Sequence, residues 1–176
     1  MTILRIISGG QTGADQAALD AAIAMGVPHG GFLPRGRLTE NGPLPDGYAL
    51  VEMPSRSYPK RTEQNVLAAD GTAIFSHGPL KGGSRLTRDL AQRHGKPWIH
   101  LDFDQVPADR VAETVSEWVC RHGIEVLNVA GSRASEDRRI YRHTYEAVGR
   151  LLALLHPRAS NDASGGSGQD PGTSPL

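Results

Sequence analysis

The apolar positions of the chain fall into short runs that alternate between two periods. Ile3-Leu4-Arg5-Ile6-Ile7, Gly31-Phe32-Leu33, Tyr48-Ala49-Leu50-Val51, Thr72-Ala73-Ile74-Phe75, Trp98-Ile99-His100-Leu101 and Ile124-Glu125-Val126-Leu127-Asn128-Val129 are brief and rich in β-branched or aromatic residues, as buried strands are. Helical patterns separate most of them. An alanine-rich run from Asp15 to Met25 stops at Gly26 and Pro28, and a second helix, with Thr62 as expected N-cap, leaves at Gly71. Later, Leu86, Leu90, Ala91 and His94 share one stripe, and Val111, Val115, Trp118, Val119 and His122 share another. A last helix carries Tyr141, Thr144, Tyr145, Val148, Leu151, Leu152 and Leu155 in steps of three and four. Strands separated by helices predict an α/β fold, with a mostly parallel sheet covered by helices on both faces.

Residues 1–156 are long enough to bury one core, so a single ligand-binding domain is expected there. From Pro157 the composition turns to Ser, Gly, Asp, Asn and Pro, and residues 157–176 read as a flexible tail.

In parallel sheets of this kind ligands bind beyond the carboxyl ends of the strands, where strand order reverses. The polar and glycine-rich segments fall on that edge. The first, Gly9-Gly10-Gln11-Thr12-Gly13 with Asp15, joins a strand to a helix start, where free backbone N–H groups and the helix dipole favour an anion. Pro34-Arg35-Gly36-Arg37 opens a long loop that also carries Glu40. Gly82, Gly83 and Ser84 end a second glycine turn, Gly78 to Ser84, with Thr87 just beyond it, and Gly131 and Arg133 belong to a third, Ala130 to Arg133, which follows the strand carrying Asn128. Asp102, and Arg61, Thr62 and Asn65 on the second helix, complete the candidate binding residues, with Lys81 in reach. The spacing is not the dinucleotide Gly-x-Gly-x-x-Gly, no acidic ribose reader ends the second strand, and no Walker motif is present. What is left is a pocket for a phosphorylated or oxyanionic ligand.

Composition narrows the function further. Nineteen basic and nineteen acidic residues balance, so nothing favours nucleic acid or an anionic membrane surface. The lone Cys120 excludes an internal disulfide framework and a multi-cysteine metal site, and is expected in the core. No apolar stretch nears the roughly 18 residues of a membrane span, and the chain reads as cytoplasmic. No serine sits on a nucleophile elbow, and the seven histidines lack metal-ligand spacing. Asp15, Asp89 and Asp102 are explained as well by caps and structural hydrogen bonds. The residues therefore assign neither a catalytic group nor a metal site, and binding fits better than hydrolysis.

Five segments in order, Gly9 to Asp15, Pro34 to Arg37, Arg61 to Val66, Gly82 to Thr87 and Leu127 to Arg133, resemble the molybdenum carrier family over about residues 3–155. That family belongs to a Rossmann-like superfamily shared with the cytokinin-activating phosphoribohydrolases and a DNA-processing protein. Ser132 and Gln16 depart from its pattern, which often has proline and a basic residue there. The resemblance implies a Rossmann-like three-layer sandwich and a homo-oligomer, with a tetramer as one form. It also implies a carrier of molybdenum cofactor (molybdopterin) that shields its ligand and delivers it to molybdoenzyme apoproteins. The alternative within the superfamily is a nucleotide-processing phosphoribohydrolase, for which Asp89 stands at the distance of the catalytic glutamate while Thr87 is displaced. A sensor of a nucleotide-derived ligand is a third reading.

Overall fold

A computed structural model describes residues 2–156, so the expected tail lies outside the described residues. The chain runs β1 (Arg5–Ile7), α1 (Ala14–Ala24), β2 (His29–Gly30), β3 (Phe32–Leu33), β4 (Leu38–Thr39), β5 (Gly42–Pro43), β6 (Val51–Glu52), α2 (Tyr58–Ala68), β7 (Gly71–Ser76), α3 (Gly82–Arg93), β8 (Trp98–Asp102), α4 (Ala108–His122), β9 (Val126–Gly131) and α5 (Ile140–Leu155). A five-stranded sheet has the order β2-β1-β9-β7-β8, and every pairing in it is parallel. The fold is a Rossmann-like three-layer sandwich. Helices α1, α4 and α5 cover one face, where Ala18, Val115 and Leu151 join Ile6, Phe75 and Leu127 in the main core. On the other face α2 and α3 meet through Val66, Leu90 and Ala91.

This order fixes where a ligand can go. The chain winds outward from β1 to β2, and later from β7 to β8, while the last strand, β9, closes the gap between β1 and β7. Connections on the two sides leave in opposite directions there, which opens a crevice above the carboxyl ends of β1, β9 and β7. The three glycine turns all leave those strand ends.

Several elements differ from the sequence expectation, each for a local reason. The second strand is split: His29 and Gly30 pair with β1, whereas Phe32 and Leu33 pair with Val51 and Glu52 in a separate two-stranded sheet. Gly31 is the break. Its φ of 123° suits glycine alone, and a Cβ there would run into the backbone of Ser8. The expected strand Tyr48–Val51 shrinks to β6 and stays outside the main sheet. Within the long loop, β4 and β5 pair antiparallel, and Leu44 and Leu50 pack with Leu19 and Leu33 in a small core.

Helix α2 starts a turn earlier than expected. Its N-cap is Ser57, whose hydroxyl accepts from the Lys60 N–H, and Pro59 fits the first turn, where its missing N–H is not needed. Thr62 lies inside the helix and donates to the Tyr58 carbonyl at 3.0 Å. Cys120 is exposed rather than in the core, because the buried stripe of α4 runs through Val111, Ala112, Val115, Trp118 and Val119. His94 and His122 are exposed ends of their stripes. Tyr141 and Tyr145 also reach solvent; the Tyr141 hydroxyl donates to Asp20, which accepts Tyr48 on its other oxygen and so ties the loop and α5 to α1.

Candidate functional site

The first turn is shaped by its own side chains. The Gln11 carboxamide oxygen accepts the N–H groups of Thr12 at 3.0 Å and Glu40 at 2.9 Å, which fixes the amide orientation and leaves Nε2 as the free end. The Thr12 hydroxyl donates to Glu40 and accepts from the Ala134 N–H at 3.2 Å. Glu40 also receives the Ser135 N–H and hydroxyl. The long loop is thereby latched onto the first and third turns at once. Burial works against the Glu40 charge, but the hydrogen bonds from Ser135 and Thr12 outweigh it and hold the carboxyl below its ordinary value.

Behind the turn lies a buried ion pair. Arg61 on α2 reaches Asp15 on α1 with Nη1 to Oδ2 at 3.2 Å, and the two side chains are 12% and 7% exposed. The Gln11 N–H also donates to Asp15 at 3.2 Å. Burial raises the Asp15 carboxyl above its usual range, against the opposing pull of Arg61 and the Gln11 N–H.

A chamber of about 60 Å³ opens in front of this pair, lined by Gln11, Asp15, Arg61, Thr62, Gly83, Ser84, Thr87, Ala130, Gly131, Arg133 and Glu136. A cleft of about 20 Å³ continues inward past Gly9, Asn65 and Asn128. The N-terminus of α3 forms one wall. Its first N–H groups, at Gly82 and Gly83, have no partner inside the helix, while Ser84 is used locally, its hydroxyl donating to the Lys81 carbonyl at 2.7 Å. Among the described residues three buried side-chain atoms have no hydrogen-bond partner, and two of them, Gln11 Nε2 and Arg61 Nε, belong to residues of this chamber. An unpartnered buried donor costs about 1–3 kcal/mol. Two such donors thus belong to residues that line the chamber together with Gly83 and Ser84 of α3.

The expected site residues divide by what their polar groups already do. Gln11, Asp15, Arg61, Thr62, Gly83, Ser84, Thr87, Gly131 and Arg133 meet in the chamber, and Gly9, Asn65 and Asn128 reach its inner cleft. Asn65 spends both ends of its amide on the backbone of Phe32, Asn128 donates to Thr72, and Thr87 donates to the Gly83 carbonyl. Gly10 sits under Leu44 and Leu50, and Gly13 under the backbone of Ser132 and Arg133. Asp102 accepts the N–H groups of Gly78 and Asp104 and shapes the turn after β8. Arg35, Gly36 and Arg37 line neither space. The Arg37 guanidinium donates to four carbonyls of its own loop, those of Leu44, Leu50, Pro45 and Tyr48. Asp89 is outside the chamber too, paired with Arg88 at 2.7 Å and facing the groove between α2 and α3.

A second space of about 480 Å³ adjoins the first, and Ser84 and Glu136 line both. His77, directly after β7, forms part of its wall. His77 Nδ1 lies 2.5 Å from Asp137 Oδ2, and Nε2 lies 2.8 Å from His143 Nδ1. Both rings lean on Phe103, with centroids 5.4 Å away. Sequence gave no sign of this trio, since its members are 60 and 66 positions apart and share no motif. Among the described residues no cluster of ligating side chains suits a metal ion, and no helix is long and apolar enough to cross a membrane.

A model of the circularly permutated YpsA SLOG family matches residues 6–152. The crystal structure, at 1.45 Å resolution, of a protein from Syntrophus aciditrophicus named "putative molybdenum carrier protein" is 51% identical. The match covers 86% of this chain and 96% of that one, with a TM-score of 0.85. No curated protein matches the chain.

Proposed function

Because the chain belongs to the circularly permutated YpsA SLOG family, and a relative of the same fold bears the name of a molybdenum carrier, we propose that it is a carrier. Its ligand is molybdenum cofactor or a related phosphorylated or oxyanionic compound, held, protected and delivered rather than converted. The observation that carries this reading is the pair of buried, unpartnered donors, Gln11 Nε2 and Arg61 Nε, in residues lining a chamber at the N-terminus of α3. These donors are hydrogen-bonding capacity that folding leaves unspent in residues of the chamber, and Arg133 adds charge from the third turn. The cargo supplies its own sulfurs, so no protein thiolate is needed, and the exposed Cys120 on α4 takes no part. Delivery to apoproteins, assembly into a homo-oligomer and a cytoplasmic location belong to the same proposal.

The test is purification without oxygen from cells that make the cofactor, followed by molybdenum analysis and fluorescence of the oxidised pterin. Stoichiometric metal and pterin are expected. Substoichiometric molybdenum with no pterin signal overturns the reading.

A hydrolase of nucleotide-like ligands is favoured by one observation, the Asp15 carboxyl in the chamber, which burial inclines to hold a proton. The position of Asp89 outside the chamber counts against it. Incubation with nucleoside monophosphates decides the matter: free base above the buffer control supports the hydrolase, and none removes it.

A further inference from the structure

Residues 132–139, between β9 and α5, form no helix or strand, yet they carry Arg133 and Glu136 to the inner chamber. Something other than a regular ladder must hold them there. The near half is tied to the first turn and the long loop: the Thr12 hydroxyl accepts the Ala134 N–H, and Glu40 accepts from Ser135. The far half closes on itself, the N–H groups of Glu136 and Asp137 both donating to the Arg133 carbonyl at 3.1 Å. Asp137 therefore ends the turn, and whatever fixes Asp137 fixes the backbone of Arg133.

The Asp137 carboxylate is held from two sides. One oxygen accepts the Arg139 N–H at 3.0 Å, at the start of α5. The other lies 2.5 Å from His77 Nδ1. An ionised carboxylate only accepts, so His77 carries its proton on Nδ1, and Nε2 is left to accept from His143 Nδ1 at 2.8 Å. That second bond sets the tautomer and the ring orientation. Phe103, stacked on Phe75 of the core with centroids 5.6 Å apart, backs both imidazoles. The His77 side chain is 4% exposed and that of Asp137 14%, so water competes little for the bond between them. His77 does not line the inner chamber; it follows β7 directly and joins a rigid strand end to an irregular turn.

We infer that His77 is a positioning residue: by donating from Nδ1 to Asp137 it fixes the turn that presents Arg133 and Glu136 to the inner chamber. The clasp itself concerns the protein alone, and its effect on affinity rests on the oxyanion reading of the chamber.

Two substitutions separate positioning from packing. Asparagine places an N–H where Nδ1 stands, whereas glutamine places its amide where Nε2 stands. His77→Asn thus keeps the bond to Asp137 and His77→Gln loses it, although glutamine fills more of the space. Hydrogen exchange of the Glu136 and Asp137 amides in the full chain should quicken roughly tenfold in His77→Gln and stay within about threefold of the parent in His77→Asn. Calorimetry with inorganic phosphate should show affinity weakened about three- to tenfold in His77→Gln and less than about twofold in His77→Asn. Equal losses in the two variants, or the larger loss in His77→Asn, are what packing alone predicts and overturn the assignment. Unchanged exchange in His77→Gln overturns it too, and faster exchange with full affinity overturns the link to the chamber. Should the variants fail to fold, nitrogen-15 spectra of the parent imidazoles decide: a proton on His77 Nδ1 supports the clasp, and a ring protonated at Nε2 alone overturns it. A parent that binds no phosphate overturns the oxyanion reading, while exchange still decides the clasp.

Discussion

Arg37 and Arg61 look alike in the sequence, each a basic residue in a polar stretch on the same side of the sheet, yet they have opposite uses. Arg37 is surrounded by four carbonyls that its own loop turns inward, so its charge is consumed in holding residues 34–50 together. Arg61 has one carboxylate partner and an Nε with none. The loop and the chamber differ in what is left over after folding. A group whose hydrogen bonds close within the protein stabilises it, and one left open in a buried space is available to a ligand.

The sharpest way to break that comparison is to remove each charge. Arg61→Gln should lower affinity for phosphate roughly 10- to 100-fold, the worth of a charge-assisted contact at about 1.5–3 kcal/mol. Its thermal stability should fall as well, because Asp15 is left without its buried partner. Arg37→Ala should do the reverse, losing about 2–4 kcal/mol of stability with phosphate affinity changed less than threefold. Calorimetry and denaturant unfolding on the two variants read both effects. If Arg37→Ala cost more affinity than Arg61→Gln, the assignment of roles would be inverted.

Much of the fold was legible beforehand, because period and punctuation report secondary structure directly. The alternation of Ile3–Ile7, the alanine run and Thr72–Phe75 requires a parallel α/β sheet, and the edge rule then places the three glycine turns together. The split at Gly31 was not legible, since a backbone approach to Ser8 leaves no mark in local pattern. Nor was the capping of α2 by Ser57, hidden by a proline that reads as loop. For the site, residue type identified which groups could bind, but not which were already satisfied. That depends on distant partners such as Phe32 for Asn65 and Thr72 for Asn128. The His77–Asp137–His143 trio is the extreme case, being made wholly of contacts across the fold.

Asp15 sharpens the comparison from the acidic side. Its folded value stands above the unfolded one, mainly through burial, so its ionisation opposes folding. That cost is absent below about pH 4, the ordinary aspartate value, and is complete once the pH passes the folded value. A phosphate dianion in the same chamber adds a like charge, which raises the value further and draws in a proton. Asp15→Asn should therefore bind phosphate about three- to tenfold more tightly at a pH where the parent Asp15 is ionised, with a gain that shrinks as the pH falls through its raised folded value. Because phosphate itself exchanges protons near neutral pH, calorimetry in buffers of different ionisation enthalpy should show more net proton uptake by the parent than by the variant at the same pH. Weaker phosphate binding by the variant throughout that range would mean that Asp15 helps the ligand by orienting Arg61.

The smallest effect is expected where the loop meets the chamber. Glu40 is held below its ordinary value by Thr12 and Ser135, so it stabilises the fold above the unfolded glutamate value of about 4.3, and that contribution disappears as the pH falls through the folded value. The group is only half-buried, so solvent screening limits the gain. Glu40→Gln should lower the melting temperature by about 1–2 °C at pH 7, an effect that fades as the pH falls through the lowered folded value. Since Glu40 joins Thr12 of the first turn to Ser135 beyond the third, loosening it should also let Gln11 lose its fixed amide, whose oxygen accepts the Glu40 N–H. Phosphate affinity in this variant should then drop two- to threefold. A drop as large as that of Arg61→Gln would show that the latch, rather than the ion pair, organises the inner chamber.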